Sequence, residues 1–427
     1  MAATSYAESM DELREWLEAN WDPGISLGEW WSRLAGSGWG YPHFPVEWFG
    51  KGDPGLTARA SWAIRDFGAV PAPIALGPTL AAPTLVEHGN DEQRARLLPG
   101  MLSGADAYCQ LFSEPNAGSD LASLQCRAVR DGDEFVVNGQ KVWSSSAQIA
   151  NKAMLLARTD VEVPKHPGLS YFIIDFDQPG IEVRPIREMT GRALFNEVFL
   201  TDVRVPAANL IGGEGNGWKV ANTTLFNERS GGGAVGAAQP GLEAGPIAGN
   251  LDRPAGECTE ARFEDRTFPP PIRAAELVAL ARARGRGDDP VLRQGLVRLH
   301  VRERVIDLMV QRARALAEQG VQVPGLPQMA KMASSHLIRL SRELTFEVLG
   351  PTGTLFGYNP DAVASLEHLT GVDDLGRLIE TSLFAAAPPI YGGSDQIQRN
   401  ILGERILGLA REPGDDKRIP YKDLPKN

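Results

Sequence analysis

The chain has 427 residues, of which 43% are hydrophobic and 23% charged, which is an ordinary balance for a globular protein of several domains. Its formal net charge of −11 argues against nucleic-acid binding as the main activity. Its cysteines, Cys109, Cys126 and Cys258, are few and lack metal-ligand spacing, and no paired-histidine motif occurs. We therefore predict a reducing, cytoplasmic setting and no metal site.

Residues 1–105 are predicted to form a helical domain. The stretch "SMDELREWLEAN" places Leu13, Trp16 and Leu17 at helical spacing after Ser9. The polar N-terminus lacks the apolar core of a signal peptide. No run of about 18 apolar residues occurs, so we predict no membrane span.

Residues 106–212 are predicted to form a compact β domain. The stretch "EFVVNGQKVWSSS" contains two short β-type runs around Asn138 and Gly139, a pair that favours a hairpin turn. The stretches "LSYFIIDF" and "NEVFLTDVRVP" are rich in β-branched and aromatic residues, as strands are.

Residues 213–427 return to helical periodicity, for example in "VLRQGLVRLHVRERVIDLMVQRARALAEQG" and "LIRLSRELTFEVLG". The order helical, β, helical, without βαβ alternation, predicts an α+β protein of three domains rather than a Rossmann fold. Residues 238–272 are dense in Gly and Pro, and we expect a surface excursion or a mobile segment there. A lid or a subunit contact is the alternative.

Two short motifs in the β domain are candidates for ligand binding. The segment "SEPNAGSD", residues 113–120, is rich in turns and small residues that allow a backbone to approach a ligand. Ser113 and Ser119 are candidates for contacting a polar cofactor edge. A well-hydrogen-bonded loop without a ligand would have the same composition. The segment "WSSS", residues 143–146, is equally ambiguous.

Together, these motifs resemble the acyl-CoA dehydrogenase family. The resemblance continues through "GLSYFIIDFDQPGIEVRPI", "LGPTGTL" and "QIQRNILGERILGLARE", and covers roughly residues 80–235 and 275–412. It implies an N-terminal helical domain, a central β-barrel or sandwich and a C-terminal four-helix bundle. It also implies FAD, an acyl-CoA substrate, an electron-transfer flavoprotein or similar acceptor, and a dimer or tetramer of like or unlike subunits.

The resemblance also assigns site residues by motif. Those implied to contact FAD are Gln110, Leu111, Ser113, Gly118, Ser119, Trp143, Ser144, Ser145, Glu347, Gly350, Pro351, Ser394 and Gln396. Those implied to contact the substrate are Ser119, Phe226, Asn227, Arg229, Gly392 and Gly393.

The catalytic base is the unusual feature. Removing the weakly acidic proton alpha to a thioester requires a positioned carboxylate, and the thioester oxygen requires hydrogen-bond donors. Many family members carry that glutamate where "IYGGSDQIQRN" has Gly392, but one branch carries it on the helix that opens the C-terminal domain. The resemblance therefore implies Glu228, in "ANTTLFNERSGGG", as the base and the Gly392 backbone N–H as a donor. A solvated helix glutamate is the alternative for Glu228.

The chain departs from the family in one segment. Many members have an "RxxFG" arginine that reaches a neighbouring subunit's FAD, but here "DRTF" with Arg266 is a displaced match inside the 238–272 insertion. Paired dehydrogenases built from two different subunits often lose such contacts. Two further readings therefore stay open: a non-catalytic or partly catalytic subunit of a heteromeric enzyme, and an oxidase that passes electrons to oxygen.

Overall fold

The computed structural model describes residues 2–229, 242–260, 271–319, 321, 323–411, 413 and 418–425. Contacts group the chain into two compact units. The first combines Met1–Ile186, Ala193–Thr267 and Pro413–Asn427, and the second combines Arg187–Arg192 with Phe268–Glu412.

The first unit begins with five helices: α1 (Ala2–Asn20), α2 (Leu27–Gly36), α3 (Leu56–Asp66), α4 (Ala82–His88) and α5 (Asp91–Leu102). Side-chain caps fix two of their starts, because Ser26 accepts a hydrogen bond from the Glu29 N–H and Asn90 forms a capping box with Gln93. The core contains the fully buried Trp30 and Trp31. The predicted helical N-terminal region is confirmed.

The same unit contains eight strands: β1 (Tyr108–Leu111), β2 (Arg127–Asp131), β3 (Glu134–Lys141), β4 (Lys152–Arg158), β5 (Leu169–Asp175), β6 (Ile181–Ile186), β7 (Phe195–Pro206) and β8 (Leu210–Ile211). They form one sheet in the order β6-β7-β3-β2-β4-β5-β8, with β1 pairing in parallel with β4. The predicted central β domain is confirmed.

The predicted hairpin turn at Asn138 and Gly139 is wrong. Strand β3 runs through both residues, and a shift in its register with β7 forms a bulge there. The chain turns instead between β2 and β3, where Gly132 has a positive φ of 66°. Gly139 is required because a Cβ would lie 2.7 Å from the Cβ of Cys126.

Helix α6 (Gly217–Arg229) follows the sheet and belongs to the first unit. The second unit contains α7 (Ala274–Ala283), α8 (Pro290–Glu318), α9 (Leu326–Leu349), α10 (Pro360–Thr370), α11 (Leu375–Phe384) and α12 (Asp395–Ile401). Leucines of α7, α8, α9 and α11 share one buried core. The predicted helical C-terminal region is confirmed. No helix in the described ranges combines the length and apolar character needed to cross a membrane.

The insertion differs from expectation. Residues 242–260 pack on the N-terminal helices, with the Leu27 N–H donating to the Arg253 carbonyl at 2.8 Å and the Ala255 N–H to the Ile25 carbonyl at 2.8 Å. Ala255 and Cys258 are buried in that core. This stretch is therefore packed rather than mobile, because its backbone pairs with groups at the start of α2 and just before it. Residues 238–241 and 261–270, including Arg266, lie outside the described residues.

Candidate functional site

The "SEPNAGSD" segment forms a tight turn directly after β1. Glu114 and Ala117 exchange backbone hydrogen bonds of 3.0 and 3.1 Å. Beyond the turn, Gly118 and Ser119 are exposed, and a Cβ on Gly118 would meet nothing within 4 Å. Packing within the described chain therefore does not require this glycine, and the turn presents small residues to open space.

A buried ion pair anchors the turn. The Lys141 ammonium of β3 donates to the Glu114 carboxylate at 2.9 Å and to the carbonyls of Phe112 and Leu156 at 3.0 and 2.8 Å. The same carboxylate accepts from the backbone N–H groups of residues 125 and 126 at 2.7 and 2.8 Å. All these bonds are charge-assisted, so they hold the turn in one place relative to β3.

The "WSSS" segment places an exposed aromatic ring after β3. Trp143 is 58% exposed, has a φ of 62° and meets Phe195 edge-on at 5.9 Å between ring centroids. Left-handed backbone costs a non-glycine residue on the order of 1–3 kcal/mol, so the surrounding structure must impose it. Paired backbone bonds of 3.0 and 3.2 Å between Ser144 and Asn196 do so. Ser145 is half-buried, and the fully buried Ser144 hydroxyl has no hydrogen-bond partner among the described residues.

Glu228 lies in the last turn of α6 and is partly buried. Burial raises the pKa of its carboxyl above the ordinary value, while the charge of Arg229 and a hydrogen bond from the Gln110 side chain act to lower it. The structure thus brings together two residues that the sequence assigned separately, the base and a flavin contact on β1. A fully solvated helix glutamate does not describe this position.

Buried hydroxyl groups fix the rotation of α6. The Thr224 hydroxyl, one turn before Glu228, lies 2.8 Å from the Thr84 hydroxyl and 3.1 Å from the Tyr171 hydroxyl. At the start of the helix, a Cβ on Gly217 would lie 2.5 Å from Ser170. Sequence reasoning missed this network, because the threonines of "ANTTLF" carry no signal of a partner on α4 or β5.

A cavity of about 260 Å³ opens beside α6. Its lining is mostly apolar. The polar residues are the hydroxyl-bearing Tyr41, Thr57, Ser61 and Thr79, the imidazole of His43, and Asn227, the residue before Glu228. Burial lowers the pKa of His43, so this ring is neutral near pH 7. Of the other predicted substrate contacts on α6, Phe226 is 54% exposed and Arg229 is half-buried.

In the second unit, Gly392 and Gly393 form a turn with φ values of 63° and 80°. The buried Gln398 amide donates to both of their carbonyls at 3.2 Å. Ser394 then caps α12, and Asp395 pairs with Lys331 at 2.9 Å. The predicted flavin contact Gln396 is exposed on this helix.

The remaining predicted cofactor contacts lie at the end of α9. Glu347, Gly350 and Pro351 are all exposed, and a Cβ on Gly350 would meet nothing within 4 Å. Their position leaves them accessible to a ligand, while their role stays a prediction. The described residues contain no cluster of three or more side chains suited to hold a metal ion.

Comparison with known proteins gives the family. The acyl-CoA dehydrogenase N-terminal, middle and C-terminal domain models match residues 2–105, 109–203 and 273–407. Acyl-CoA dehydrogenase IpdE1 of Mycobacterium tuberculosis is 36% identical over 389 residues, which are 90% of this chain and 88% of that protein. The chain belongs to the acyl-CoA dehydrogenase family.

Solved structures of the family extend this result. The Tcur3481-Tcur3483 steroid ACAD is 25% identical with a TM-score of 0.67, covering 96% of this chain and 98% of that one. The ChsE4-ChsE5 complex from Mycobacterium tuberculosis is 27% identical with a TM-score of 0.63, covering 96% of both chains. The butyryl-CoA dehydrogenase of Megasphaera elsdenii, at 20% identity and a TM-score of 0.59, shares the fold.

As an acyl-CoA dehydrogenase, the chain is a flavoprotein oxidoreductase of lipid metabolism. The β-domain surface fits a flavin: an exposed tryptophan held by its backbone, an open glycine and partly buried serines supply a flat apolar contact and polar edges. Leu111, by contrast, is fully buried in the sheet core, so its side chain supports the strand.

Proposed function

We propose that the protein is an FAD-dependent dehydrogenase that converts an acyl-CoA thioester to the 2-enoyl-CoA. Glu228 removes the alpha proton, and the Gly392 N–H donates a hydrogen bond to the thioester oxygen. When bound, the flavin supplies the hydride acceptor for the beta carbon. The observation that carries the proposal is the partly buried Glu228 carboxyl, with its raised pKa, at the end of a fixed helix and beside Gln110.

The environment of Glu228 suits a general base. A base works best when its pKa lies near the operating pH, and burial moves the pKa of this carboxyl upward from the ordinary glutamate range. Arg229 and the Gln110 amide favour the charged form and so oppose part of the effect of burial on this pKa. Gln110 also limits how far the carboxylate can turn, since it donates a hydrogen bond from β1.

Different residues of the chain are assigned to different parts of the cofactor. Trp143 would pack against the flavin ring, while Ser113, Ser119 and Ser145 would bind its polar atoms. Gly118 has no side chain and would let the cofactor approach the protein backbone closely. We assign Glu347, Gly350 and Pro351 to the adenosine diphosphate half of an FAD held with a neighbouring subunit, together with Ser394 and Gln396.

The cavity beside Asn227 is proposed to take the acyl group. Its apolar lining removes hydrocarbon from water, and it reaches α6 at Asn227, the residue before Glu228. Relatives named for steroid substrates support an alicyclic acyl group over a long flexible chain.

A panel of thioesters tests this function. The protein, purified with any partner subunit, is mixed anaerobically with butanoyl-CoA, octanoyl-CoA, cyclohexane-1-carbonyl-CoA and a steroid side-chain CoA thioester. Bleaching of the flavin absorbance by at least one thioester, with formation of the enoyl-CoA, is expected. Bound flavin that no thioester bleaches would contradict the proposal. Hydrogen peroxide formed in air at the rate of turnover would identify an oxidase instead.

A second candidate is a subunit that is active only in a heteromeric dehydrogenase. The two most informative structural relatives are each a pairing of two named chains, Tcur3481 with Tcur3483 and ChsE4 with ChsE5. Expression alone and with a candidate partner separates the cases. Flavin and activity that appear only on co-expression favour the heteromer, and an active homo-oligomer excludes it.

A further inference from the structure

The C-terminal segment 418–425 lies against the β domain. The Tyr421 and Lys422 backbone N–H groups donate to the carbonyls of Val163 and Val161 at 2.8 and 3.0 Å. Both partners belong to the loop between β4 and β5. The segment, which we call the C-terminal strap, is therefore held by backbone pairing as well as by its side chains.

The Tyr421 side chain meets a buried arginine. The Arg158 guanidinium lies 3.4 Å from the centroid of the Tyr421 ring and is only 2% exposed. It donates to the carbonyls of Ala122 and Leu124 at 2.7 and 3.1 Å. The Tyr421 hydroxyl donates to the carbonyl between them, that of Ser123, at 3.1 Å.

Three consecutive carbonyls, at residues 122–124, are thus held by one arginine and one tyrosine. This stretch directly continues the "AGSD" motif. Asp120 receives bonds from Lys165 at 3.0 Å and from the Ser123 hydroxyl at 2.5 Å. Ser119, the residue before Asp120, is the exposed serine assigned to flavin and acyl-CoA.

We propose that Tyr421 is a positioning residue, and that the C-terminal strap holds the ligand-binding loop 118–124 in its working conformation. The proposal rests on the proposed function, since that function assigns Gly118 and Ser119 to the ligands. Without the strap, the Ser123 carbonyl loses its donor and Arg158 loses the ring that covers it. The loop then samples other conformations, and acyl-CoA binding must restore its order at a cost in affinity.

The reaction itself is not expected to change, because the Tyr421 side chain contacts Arg158 and the Ser123 carbonyl and so acts through the loop. We therefore expect loss of the Tyr421 contacts to separate two quantities, or split them: acyl-CoA binding becomes weaker, while the maximal rate of flavin reduction stays the same. A purely structural role would lower stability without this split.

The test compares Tyr421→Ala and Tyr421→Phe with the parent holoenzyme. Lys422→Ala is the matched control, since it removes only an exposed ion pair with Glu162 from the same strap. Two quantities are measured: the dissociation constant of the thioester that bleaches the flavin fastest, and hydrogen exchange of the backbone amides in residues 119–126. The maximal rate of flavin reduction is recorded alongside.

Tyr421→Ala should weaken thioester binding by roughly tenfold or more and speed amide exchange similarly, since a hydrogen bond and a desolvated cation–π contact are both lost. Tyr421→Phe keeps the ring but loses the hydroxyl, and its affinity for the thioester should fall about fivefold, which corresponds to the loss of one hydrogen bond. Lys422→Ala should match the parent, and all maximal rates should agree within about twofold of it.

Unchanged affinity in Tyr421→Ala, or unchanged amide exchange in the loop, would overturn the inference while leaving the proposed function intact. An equal loss in Lys422→Ala would overturn it too, because the effect would then not run through the tyrosine. If the parent binds no thioester, the proposed function fails, and amide exchange alone decides whether Tyr421 orders the loop.

Discussion

The two loops that carry the assigned site residues are held in different ways. The motif loop after β1 is anchored by the Glu114 carboxylate, which accepts three charge-assisted bonds of 2.7–2.9 Å. The Gly392-Gly393 turn is anchored by the neutral amide of Gln398, which donates two bonds of 3.2 Å. Both anchors are buried, but only the first contains a charge pair.

The two loops should therefore differ in how well they tolerate substitution of their anchoring side chains. Removing one member of a buried ion pair leaves an uncompensated charge, whereas removing an amide leaves two carbonyls without a donor. We therefore expect the motif loop to be the more rigid of the two loops and the glycine turn to be the more adaptable one. Substituting each anchor tests this expectation.

The largest effect is expected for Lys141→Met. The substitution leaves Glu114 buried without its cation, so the free energy of unfolding should fall by about 3–5 kcal/mol. Chemical denaturation measures this loss, and a flavin spectrum should show weaker cofactor retention. Lys152→Met, which removes the more exposed pair with Asp175, is the control and should cost less than about 1 kcal/mol. Equal losses of unfolding free energy in Lys141→Met and Lys152→Met would show that the buried ion pair does not make the motif loop unusually rigid.

A smaller effect is expected for Gln398→Met. The substitution keeps the side-chain volume but leaves the Gly392 and Gly393 carbonyls without their shared donor, which should cost about 1–3 kcal/mol of stability. The maximal rate of flavin reduction should also fall, because the Gly392 N–H would no longer be held in place. Gln294→Met, at an exposed position on α8, is the control. A stability and rate equal to the control would show that the turn does not depend on Gln398.

The smallest effect is expected for Thr224→Val. It removes one hydroxyl from the network with Thr84 and Tyr171, which should lower stability by about 1 kcal/mol and slow flavin reduction, since α6 carries Glu228. Thr224→Ser retains the hydroxyl and should keep most of the rate. A serine variant as slow as the valine variant would point to the methyl group rather than the hydroxyl.

Much of the fold was predictable because local patterns agreed with the final packing. The order of helical, β and helical segments follows from periodicity, and the motifs identify the family before any contact is known. Two of the motif residues are accessible to a ligand, since Trp143 is exposed and Gly118 faces open space, and their contact with a flavin stays a prediction.

The remainder depends on partners that are distant in the chain. Glu114 and Lys141 are separated by 27 positions, and either residue alone reads as an ordinary surface charge. Asn138 and Gly139 have the composition of a turn, yet β3 continues through them with a bulge, and Gly139 lies close to Cys126. Residues 242–260 have the composition of a mobile loop, but the N-terminal helices supply hydrogen-bond partners that composition cannot show.

The assignment of Glu228 as the base is tested most directly by the pH profile of anaerobic flavin reduction in the parent and in Glu228→Gln. In the parent, the rate should rise with pH through a pKa above the ordinary glutamate value, because burial favours the protonated form and only the carboxylate accepts the alpha proton. Glu228→Gln should bind the thioester nearly as well, reduce flavin about 10²–10⁴-fold more slowly and lack that pH dependence. A variant that reduces flavin as fast as the parent, with the same pH profile, would contradict the assignment of Glu228.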